Sequence, residues 1–347
     1  MRIRERTAYV QERLSLLDRT PIAWRFMARA QRAAFRTLDW PYRNHRVCHC
    51  LSTTAPRCAQ PAIRRVLPVL LLMLTMLLPA SKPAHTEQNP RKFGVYYGER
   101  FDPQLSAFDV LVLDADSGLD LGRIRKRAKA RQLILGYLAL CEVDSSRSFA
   151  WKTRQARLLL HESRYWPGSF YIDIRRPEWQ RLVIDEIAPS ILKAGFDGLF
   201  LDTIDDAPWL ETSANSPLPG ITAAAVALVQ QIRLSFPNRR LMLNRGFDLL
   251  PKLERDVDMV LAESILTTSV GGERKPIRLP AESYYGRVKE LQSAQARQTS
   301  LKLYSLDYWD PTDLAGIRDI YAIQRANGLE PYVSTSTLAK IIPEPAR

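Results

Sequence analysis

Residues 195–206 read GFDGLFLDTIDD and indicate the fold of the chain more directly than any other segment. Its apolar segment 198–201 ends in Asp202, and Asp205 and Asp206 follow within four residues. A continuous apolar segment of this length is typical of a strand that is buried on both faces of a parallel sheet. Because parallel strands all end on one side, an acid at such an end is expected at an edge shared with other strands.

Four other apolar segments in the second half of the chain also end in a carboxylate or an amide. They are FYIDIR with Asp173, LMLNRG with Asn244, VLAES with Glu263 and LYSLDYW with Asp307. We expect these polar side chains to gather with Asp202 on one rim. In (β/α)8 barrels that rim carries the catalytic residues.

Residues 93–336 alternate between apolar segments and segments of helical length. The apolar segments and the turn residues between them predict nine strands, at residues 93–97, 110–114, 133–140, 170–174, 198–202, 241–244, 259–263, 302–306 and 332–334. Helices are predicted near residues 119–130, 149–162, 177–194, 221–235, 248–255, 283–297 and 312–327. This alternation indicates an α/β protein with a (β/α)8 TIM barrel. Nine strands are one more than a closed barrel needs, so either one of them is an edge piece or the barrel carries an extra strand. Residues 337–347 form a C-terminal tail.

The net charge of +13 is concentrated in the N-terminal part of the chain. Residues 1–84 hold fifteen basic and four acidic residues, so residues 85–347 carry a net charge of only +2. The basic composition therefore says nothing about the ligand of the larger part. No basic surface segment with interleaved aromatic residues remains there, and we expect no binding to nucleic acid.

Residues 63–84 have the layout of a secretory signal peptide. Arg64 and Arg65 precede the uncharged segment 66–78, which is shorter than the roughly 20 residues of a membrane span. We expect export to the periplasm or the cell exterior. The alternative is that this segment is not cleaved and anchors the protein in the membrane, which is the one membrane contact that we expect. The Arg-rich leader 1–62 is then either an unstructured product of a start codon assigned too far upstream or a cytoplasmic tail.

Asp202 and Glu263 are the strongest candidates for catalytic residues. Asp202 shares a loop with two more acids, where mutual repulsion separates the pKa values, although those neighbours could instead cap a helix. Glu263 follows only apolar residues, and a glutamate in such a position needs a partner or a catalytic role. An ion pair with Arg245 or Arg274 is the alternative to the catalytic role. Two carboxylates that face one cavity suit glycoside hydrolysis, in which one protonates the leaving oxygen and the other attacks or activates water.

Three polar residues near these acids are candidates for binding the substrate. Asn244 carries both a donor and an acceptor for sugar hydroxyls, and a hydrogen bond that closes its loop is the alternative. Asp205 extends the acidic loop. Asp173 lies on the same face of its strand as Arg175, so an internal ion pair is the alternative to contact with a ligand.

Three tyrosines and one further acid complete the predicted binding site. Tyr97, Tyr137 and Tyr308 stand at strand ends, where their rings could stack on sugars or simply close the top of the barrel. Asp114 adds negative charge that would attract a cationic amino sugar, and a turn before Gly118 is its alternative role.

The sequence predicts no metal and no cofactor. The Cys48–His49–Cys50 cluster lacks a second pair of ligands at zinc-finger spacing, and His85 and His161 are the only histidines after residue 84. The chain also lacks a G-x-S-x-G elbow, a Walker loop and a dinucleotide fingerprint. Cys141 is the one cysteine after residue 84, so no disulfide is expected within that part.

An ordered set of motifs resembles glycoside hydrolase family 114, the endo-α-1,4-polygalactosaminidases, and the hydrolase domain of Pel-polysaccharide modification proteins. The motifs are YYG (96–98), YLALCE (137–142), YIDIR (171–175), GFDGLFLDTIDD (195–206), NRGFDLLP (244–251), AES (262–264) and DY (307–308). Cys141 stands where the family pattern has glycine. The resemblance implies a secreted, metal-independent enzyme that cleaves α-1,4-linked galactosamine polysaccharide with Asp202 and Glu263. A silent barrel that only binds the polysaccharide is the alternative, and we expect a monomer.

Overall fold

The computed structural model describes residues 92–128, 131–163, 167–212, 217–269 and 276–346. The predicted leader 1–62, the predicted signal or anchor segment 63–84, the Cys48–His49–Cys50 cluster and Arg274 all lie outside these residues. Among the helices within these ranges, none is long and apolar enough to cross a membrane.

Eight parallel strands form a nearly closed (β/α)8 TIM barrel, as the sequence predicted. In chain order, which is also their spatial order, they are β1 (Phe93–Tyr96), β2 (Val110–Leu113), β3 (Leu133–Ala139), β4 (Gly198–Asp202), β5 (Arg240–Asn244), β6 (Met259–Glu263), β7 (Lys302–Tyr308) and β8 (Glu330–Ser334). The Phe93 ring of β1 lies 6.4 Å from the Tyr332 ring of β8, so the first and last strands meet around a shared interior.

Helices cover the outside of the barrel. They are α1 (Leu121–Arg127), α2 (Ala150–Gln155), α3 (Pro177–Arg181), α4 (Ala188–Lys193), α5 (Asp206–Thr212), α6 (Ile221–Ser235), α7 (Leu250–Leu253), α8 (Ala281–Arg297) and α9 (Leu314–Ala326). A π-helical segment, Leu182–Ile187, joins α3 to α4, and a 3₁₀ helix spans Pro103–Ala107. The helix α5 was not predicted from the sequence.

The predicted strand 170–174, the fourth of the nine, is not part of the barrel. Strand Ser169–Ile172 pairs antiparallel with Glu142–Asp144 and with Leu159–Glu162 in a separate three-stranded sheet. The predicted helix 149–162 therefore ends early, at Gln155, and its last residues form a strand. The short connection 163–168 allows only antiparallel pairing, because a parallel crossover needs a dozen or more residues.

Each barrel strand is buried on both faces. In β7, Tyr304, Leu306 and Tyr308 point into the barrel interior, whereas Leu303 packs in the layer between the strands and the helices. This alternation follows from the period of two along a strand. Of two consecutive residues at the end of a strand, one can therefore face a cavity inside the barrel, and the other faces the helices.

Candidate active site

A cavity of about 320 Å³ opens at the carboxyl ends of the barrel strands. The insertion between β3 and α3, which contains the small sheet and α2, supplies its outer wall. Its charged lining consists of seven acids and three bases, namely Asp116, Glu142, Asp144, Glu186, Asp202, Asp205, Glu263, Arg147, Lys152 and Arg245. The excess of acids makes this cavity attractive to a cationic ligand.

Three neighbouring strands bring Asp202, Asn244 and Glu263 together at the centre of this cavity. The Asn244 side-chain nitrogen donates a hydrogen bond of 2.8 Å to Asp202 Oδ1 and one of 2.7 Å to Glu263 Oε2. Asn244 is 3% exposed, so its amide is held by the barrel rather than by solvent. One amide thus fixes the separation of both predicted catalytic acids.

The residue after each member of this trio has a left-handed backbone. Thr203, Arg245 and Ser264 have φ angles of 62°, 55° and 55°, a region that residues other than glycine rarely adopt. Each such residue costs on the order of 1–3 kcal/mol and persists only where its surroundings hold it. The three strands therefore turn sharply just beyond the polar side chains, a form of strain that is concentrated at functional sites.

Side chains of two of these strained residues tie the loops together. Thr203 Oγ1 accepts hydrogen bonds from the backbone nitrogens of Leu140 and Cys141, at 3.2 and 2.9 Å. Arg245 donates to the Glu263 carbonyl oxygen at 2.9 Å and to Asp205 Oδ2 at 3.0 Å. These bonds join the end of β4 to the end of β3, and the end of β5 to the end of β6.

Tyr308 is the second donor to Glu263. Its hydroxyl donates to Glu263 Oε1 at 2.6 Å. Burial raises the pKa of Tyr308, and the Glu263 carboxylate raises it further, so the phenol keeps its proton. Glu263 therefore accepts one hydrogen bond on each carboxylate oxygen.

The pKa of Glu263 lies above its ordinary value. Burial is the largest cause, and the nearby Asp202 carboxylate also raises this pKa. The hydrogen bonds from Tyr308 and Asn244 act in the opposite direction but do not offset the burial. A carboxyl group with a raised pKa beside a second carboxylate is the arrangement that a general acid requires.

Tyr97 and Tyr137 form an aromatic wall of the cavity. Their ring centroids are 5.4 Å apart in an edge-to-face arrangement, and both residues line the cavity. The Arg147 guanidinium lies 5.1 Å from the centre of the Tyr137 ring. The structure therefore places both tyrosines where the sequence predicted them.

Two predicted site residues lie outside the lining of this cavity. Asp114 accepts a hydrogen bond from the Asp116 backbone within the turn and pairs with Arg147 at 2.6 Å. Asp173 follows a strand of the small sheet, not of the barrel, and its carboxylate pairs with Arg175 at 2.7 Å. That cation lowers the pKa of Asp173. For both acids the structural alternatives, a turn and an internal ion pair, are the ones that the geometry shows.

Two more acids that the sequence places near the predicted rim, Asp307 and Asp206, are absent from the cavity lining. Asp307 is fully buried on the outer face of β7, where it accepts hydrogen bonds from the Thr267 backbone at 2.8 Å and from Gln324 at 2.6 Å. Asp206 is also fully buried and begins α5, and burial raises its pKa. The expectation of a single rim of acids was therefore too broad.

Several lining residues were not predicted as site residues, and Glu142, Arg147 and Lys152 among them come from the insertion. Glu142 accepts a hydrogen bond of 3.0 Å from Ser169 and is 5% exposed. Arg147, Lys152 and Glu186 reach the cavity from a loop, from α2 and from the π-helical segment. Glu142 could have been found from its place in the motif YLALCE. Arg147, Lys152 and Glu186 lie in a loop and in helices, where the local sequence does not indicate a cavity.

Cys141 fits the turn in which the family pattern has glycine. It is buried, its backbone nitrogen donates to Thr203 and its carbonyl accepts from Ile172 at 2.9 Å. It does not belong to the residues with positive φ, so this position does not require glycine. As for metals, no group of three His, Cys, Asp or Glu side chains in the described ranges is arranged to hold an ion.

Comparisons with solved structures support the same fold. The glycoside hydrolase domain of PelA from Pseudomonas aeruginosa is 25% identical to this chain with a TM-score of 0.61, over 72% of this chain and 96% of that one. Aspergillus fumigatus Ega3, solved in complex with galactosamine, is 14% identical with a TM-score of 0.55, over 73% of this chain and 94% of that one, a likeness of fold alone. No curated protein matches the chain.

The family assignment rests on sequence. The model of glycoside-hydrolase family GH114 matches residues 77–345 and so includes every barrel strand and the whole cavity. This match covers more than half of the chain. The protein therefore belongs to glycoside-hydrolase family GH114.

Proposed function

We propose that this glycoside hydrolase cleaves an α-1,4-linked galactosamine-containing exopolysaccharide with Glu263 as general acid and Asp202 as nucleophile. The observation that carries the proposal is the Asn244 amide shared by the two carboxylates. Since its nitrogen lies 2.8 Å from Asp202 and 2.7 Å from Glu263, the two bound oxygens are at most about 5.5 Å apart, the sum of these distances. Retaining glycosidases space their carboxyl groups by about 5–5.5 Å, and inverting ones by more.

The two steps follow from this spacing. The Asp202 carboxylate attacks the anomeric carbon while protonated Glu263 gives its proton to the leaving glycosidic oxygen, so a glycosyl ester forms and the sugar–oxygen bond breaks. Glu263, now ionised, removes a proton from water, and this water attacks the same carbon and releases Asp202. The raised pKa of Glu263 supports its role as the initial proton donor.

The charge of the cavity supports an amino sugar as the substrate. Seven acids and three bases line it, which favours a polymer with free ammonium groups over a neutral one. The resemblance to polygalactosaminidases agrees with this choice, as does the structure of Ega3 in complex with galactosamine. Tyr97 and Tyr137 offer ring faces and edges to the sugar.

Product analysis on partially deacetylated α-1,4-galactosamine polymer tests the proposal. We expect new reducing ends and, by NMR of early products, the same anomeric configuration as in the substrate. Asp202→Asn should release no reducing ends while unfolding at the same urea concentration as the wild type. Binding of the polymer without cleavage by the wild type would instead establish a silent, binding barrel, and an inverted product would exclude the covalent step.

Export by residues 63–84 is part of the same proposal, because an exopolysaccharide lies outside the cytoplasm. Support comes from the basic flank and the short apolar segment of that region. N-terminal sequencing of the protein recovered from culture medium and from membranes tests it. A mature chain that begins after residue 78 indicates cleavage, whereas recovery only from the cytoplasm excludes export.

A further inference from the structure

A second concave surface lies beside the active-site cavity and shares two residues with it. This outer groove, of about 390 Å³, lies along α2, α3 and the π-helical segment. Its polar and aromatic lining consists of Trp151, Lys152, Gln155, Glu178, Arg181, Asp185 and Glu186. Lys152 and Glu186 also line the active-site cavity, so the two concave surfaces meet at this pair.

The boundary between the two surfaces is an exposed ion pair. The Lys152 ammonium contacts the Glu186 carboxylate, and their side chains are 34% and 52% exposed. Exposed pairs of this kind contribute about 0–1 kcal/mol to stability. An ammonium group on a ligand can therefore replace Lys152 beside Glu186 at little cost, and the boundary is open to a cationic polymer.

Trp151 provides an aromatic ring next to this boundary, with the Lys152 ammonium 5.5 Å from the ring centre. It is 59% exposed, whereas Trp179 in the following helix is fully buried. A single exposed aromatic residue needs no explanation by itself. Trp151, however, lines a groove that meets the active-site cavity at the Lys152–Glu186 pair, and its indole can stack on a sugar ring while the ring nitrogen donates to a hydroxyl.

We propose that the outer groove is an additional binding site for the polysaccharide, in which one sugar unit packs on Trp151 and another places its ammonium beside Glu186. The inference rests on the proposed function, because it extends the same polymer beyond the Asp202–Glu263 pair. The acids of the groove outnumber its bases by three to two, which agrees with a cationic chain. Binding energy from such remote units is available to the reaction only with substrates long enough to reach them.

Kinetics with long and short substrates test the inference. The long substrate is partially deacetylated α-1,4-galactosamine polymer, and the short one is a galactosamine trisaccharide. For Trp151→Ala we expect kcat/KM on the polymer to fall about threefold to tenfold through KM, the size of a lost aromatic contact. On the trisaccharide the same variant should equal the wild type, and Trp151→Phe should recover part of the loss on the polymer.

Tyr285→Ala is the matched control, because Tyr285 is 58% exposed but lines neither surface. It should leave both substrates unaffected. Equal behaviour of Trp151→Ala and Tyr285→Ala on the polymer would overturn the additional site and leave the proposed function intact. If the wild type cleaves neither substrate, the proposed function itself fails.

Glu186→Gln tests the recognition of the ammonium group separately from the stacking of a sugar ring on Trp151. We expect it to raise KM by a larger factor for the partially deacetylated polymer than for a fully N-acetylated polymer, which has no ammonium groups. An equal effect on both polymers would exclude recognition of the amine by Glu186.

Discussion

Glu263 is partly buried and Asp307 is fully buried, and these two acids at the ends of neighbouring barrel strands face opposite ways. Glu263 points into the cavity and accepts from Asn244 and Tyr308. Asp307 points outward and accepts from the loop after β6 and from α9. Burial raises the pKa of both, to about 6 for Asp307. A raised pKa alone therefore does not identify a catalytic acid; the face of the strand does.

The outer acid has a structural role that serves the inner one. Asp307 accepts hydrogen bonds from the backbones of Leu266 and Thr267, at 3.2 and 2.8 Å, and so fixes the loop that follows Glu263. Gln324, which donates to Asp307, in turn accepts from the Tyr284 hydroxyl at 3.1 Å. If the two faces differ in this way, substitutions on the cavity face should change catalysis, and substitutions outside the cavity should change stability or have little effect.

Glu263→Gln should have the largest effect. It removes the proposed proton donor but keeps the size of the side chain, and we expect kcat to fall about 10²–10⁴-fold, the usual contribution of general acid catalysis. Reducing-end assays measure the loss, and circular dichroism checks the fold. Asp307→Asn, measured alongside, should retain most of kcat. A comparable loss in both variants would contradict the separation of an inner catalytic acid from an outer structural one.

Tyr308→Phe should change the pH profile. The lost hydrogen bond held the pKa of Glu263 down, so that pKa rises. Because the general acid must be protonated, activity is lost as pH rises through this pKa, and the basic limb of kcat/KM should move to higher pH. The maximum should fall about tenfold, as for one lost hydrogen bond to a charged group.

Tyr284→Phe is the control on the outer face, because its hydroxyl contacts Gln324 and not Glu263. It should leave the basic limb where it is in the wild type. A basic limb that stays in place in Tyr308→Phe would mean that Glu263 is not the group that titrates there.

Much of the barrel and the centre of its site could be predicted from the sequence. Asp202, Asn244 and Glu263 each end an apolar segment that is separated from the next by a helix, so their strands had to be parallel and their ends adjacent. The direction of Asp307 could not be predicted, because both faces of a barrel strand are apolar and the alternation of LYSLDYW does not show which face is inside.

The insertion between β3 and α3 could not be predicted for a different reason. Ser169–Ile172 has the composition of a barrel strand, and only the pairing with Leu159–Glu162 shows that it belongs to a hairpin. The sequence of that partner predicts the end of a helix instead. Residues such as Arg147 and Lys152 reach the cavity through the path of the insertion, and local sequence does not encode this path.

Asp307→Asn should change stability rather than activity. Below about pH 4 the acid is protonated in both the folded and unfolded states. As pH rises through 3.8 toward 6 the unfolded state ionises first, so the free energy of unfolding of the wild type falls, by about 3 kcal/mol in total. The side-chain amide of Asp307→Asn cannot ionise. Its nitrogen can donate a hydrogen bond to the Gln324 side-chain oxygen once the Gln324 amide is flipped.

Urea unfolding of the wild type and Asp307→Asn between about pH 4 and pH 7 measures this difference. The advantage of the variant over the wild type should grow as pH rises. Asp248→Asn, at a side chain that is 77% exposed, controls for the loss of one acidic group. A constant difference between wild type and Asp307→Asn across this range would exclude a raised pKa on the outer face.

Asp173→Asn should have the smallest effect, because its pattern resembles that of Asp202 while its carboxylate pairs with Arg175 outside the cavity lining. Arg175 lowers the pKa of Asp173, so the stabilisation is present above the unfolded pKa and is lost as pH falls through the folded one. The pair is partly exposed, and we expect a loss of under about 1 kcal/mol at pH 7 that vanishes in acid. Denaturation at both pH values measures the loss, and kcat and KM on the polymer should match the wild type. A KM that rises several-fold with unchanged stability would instead make Asp173 a substrate contact and extend the binding surface beyond the barrel.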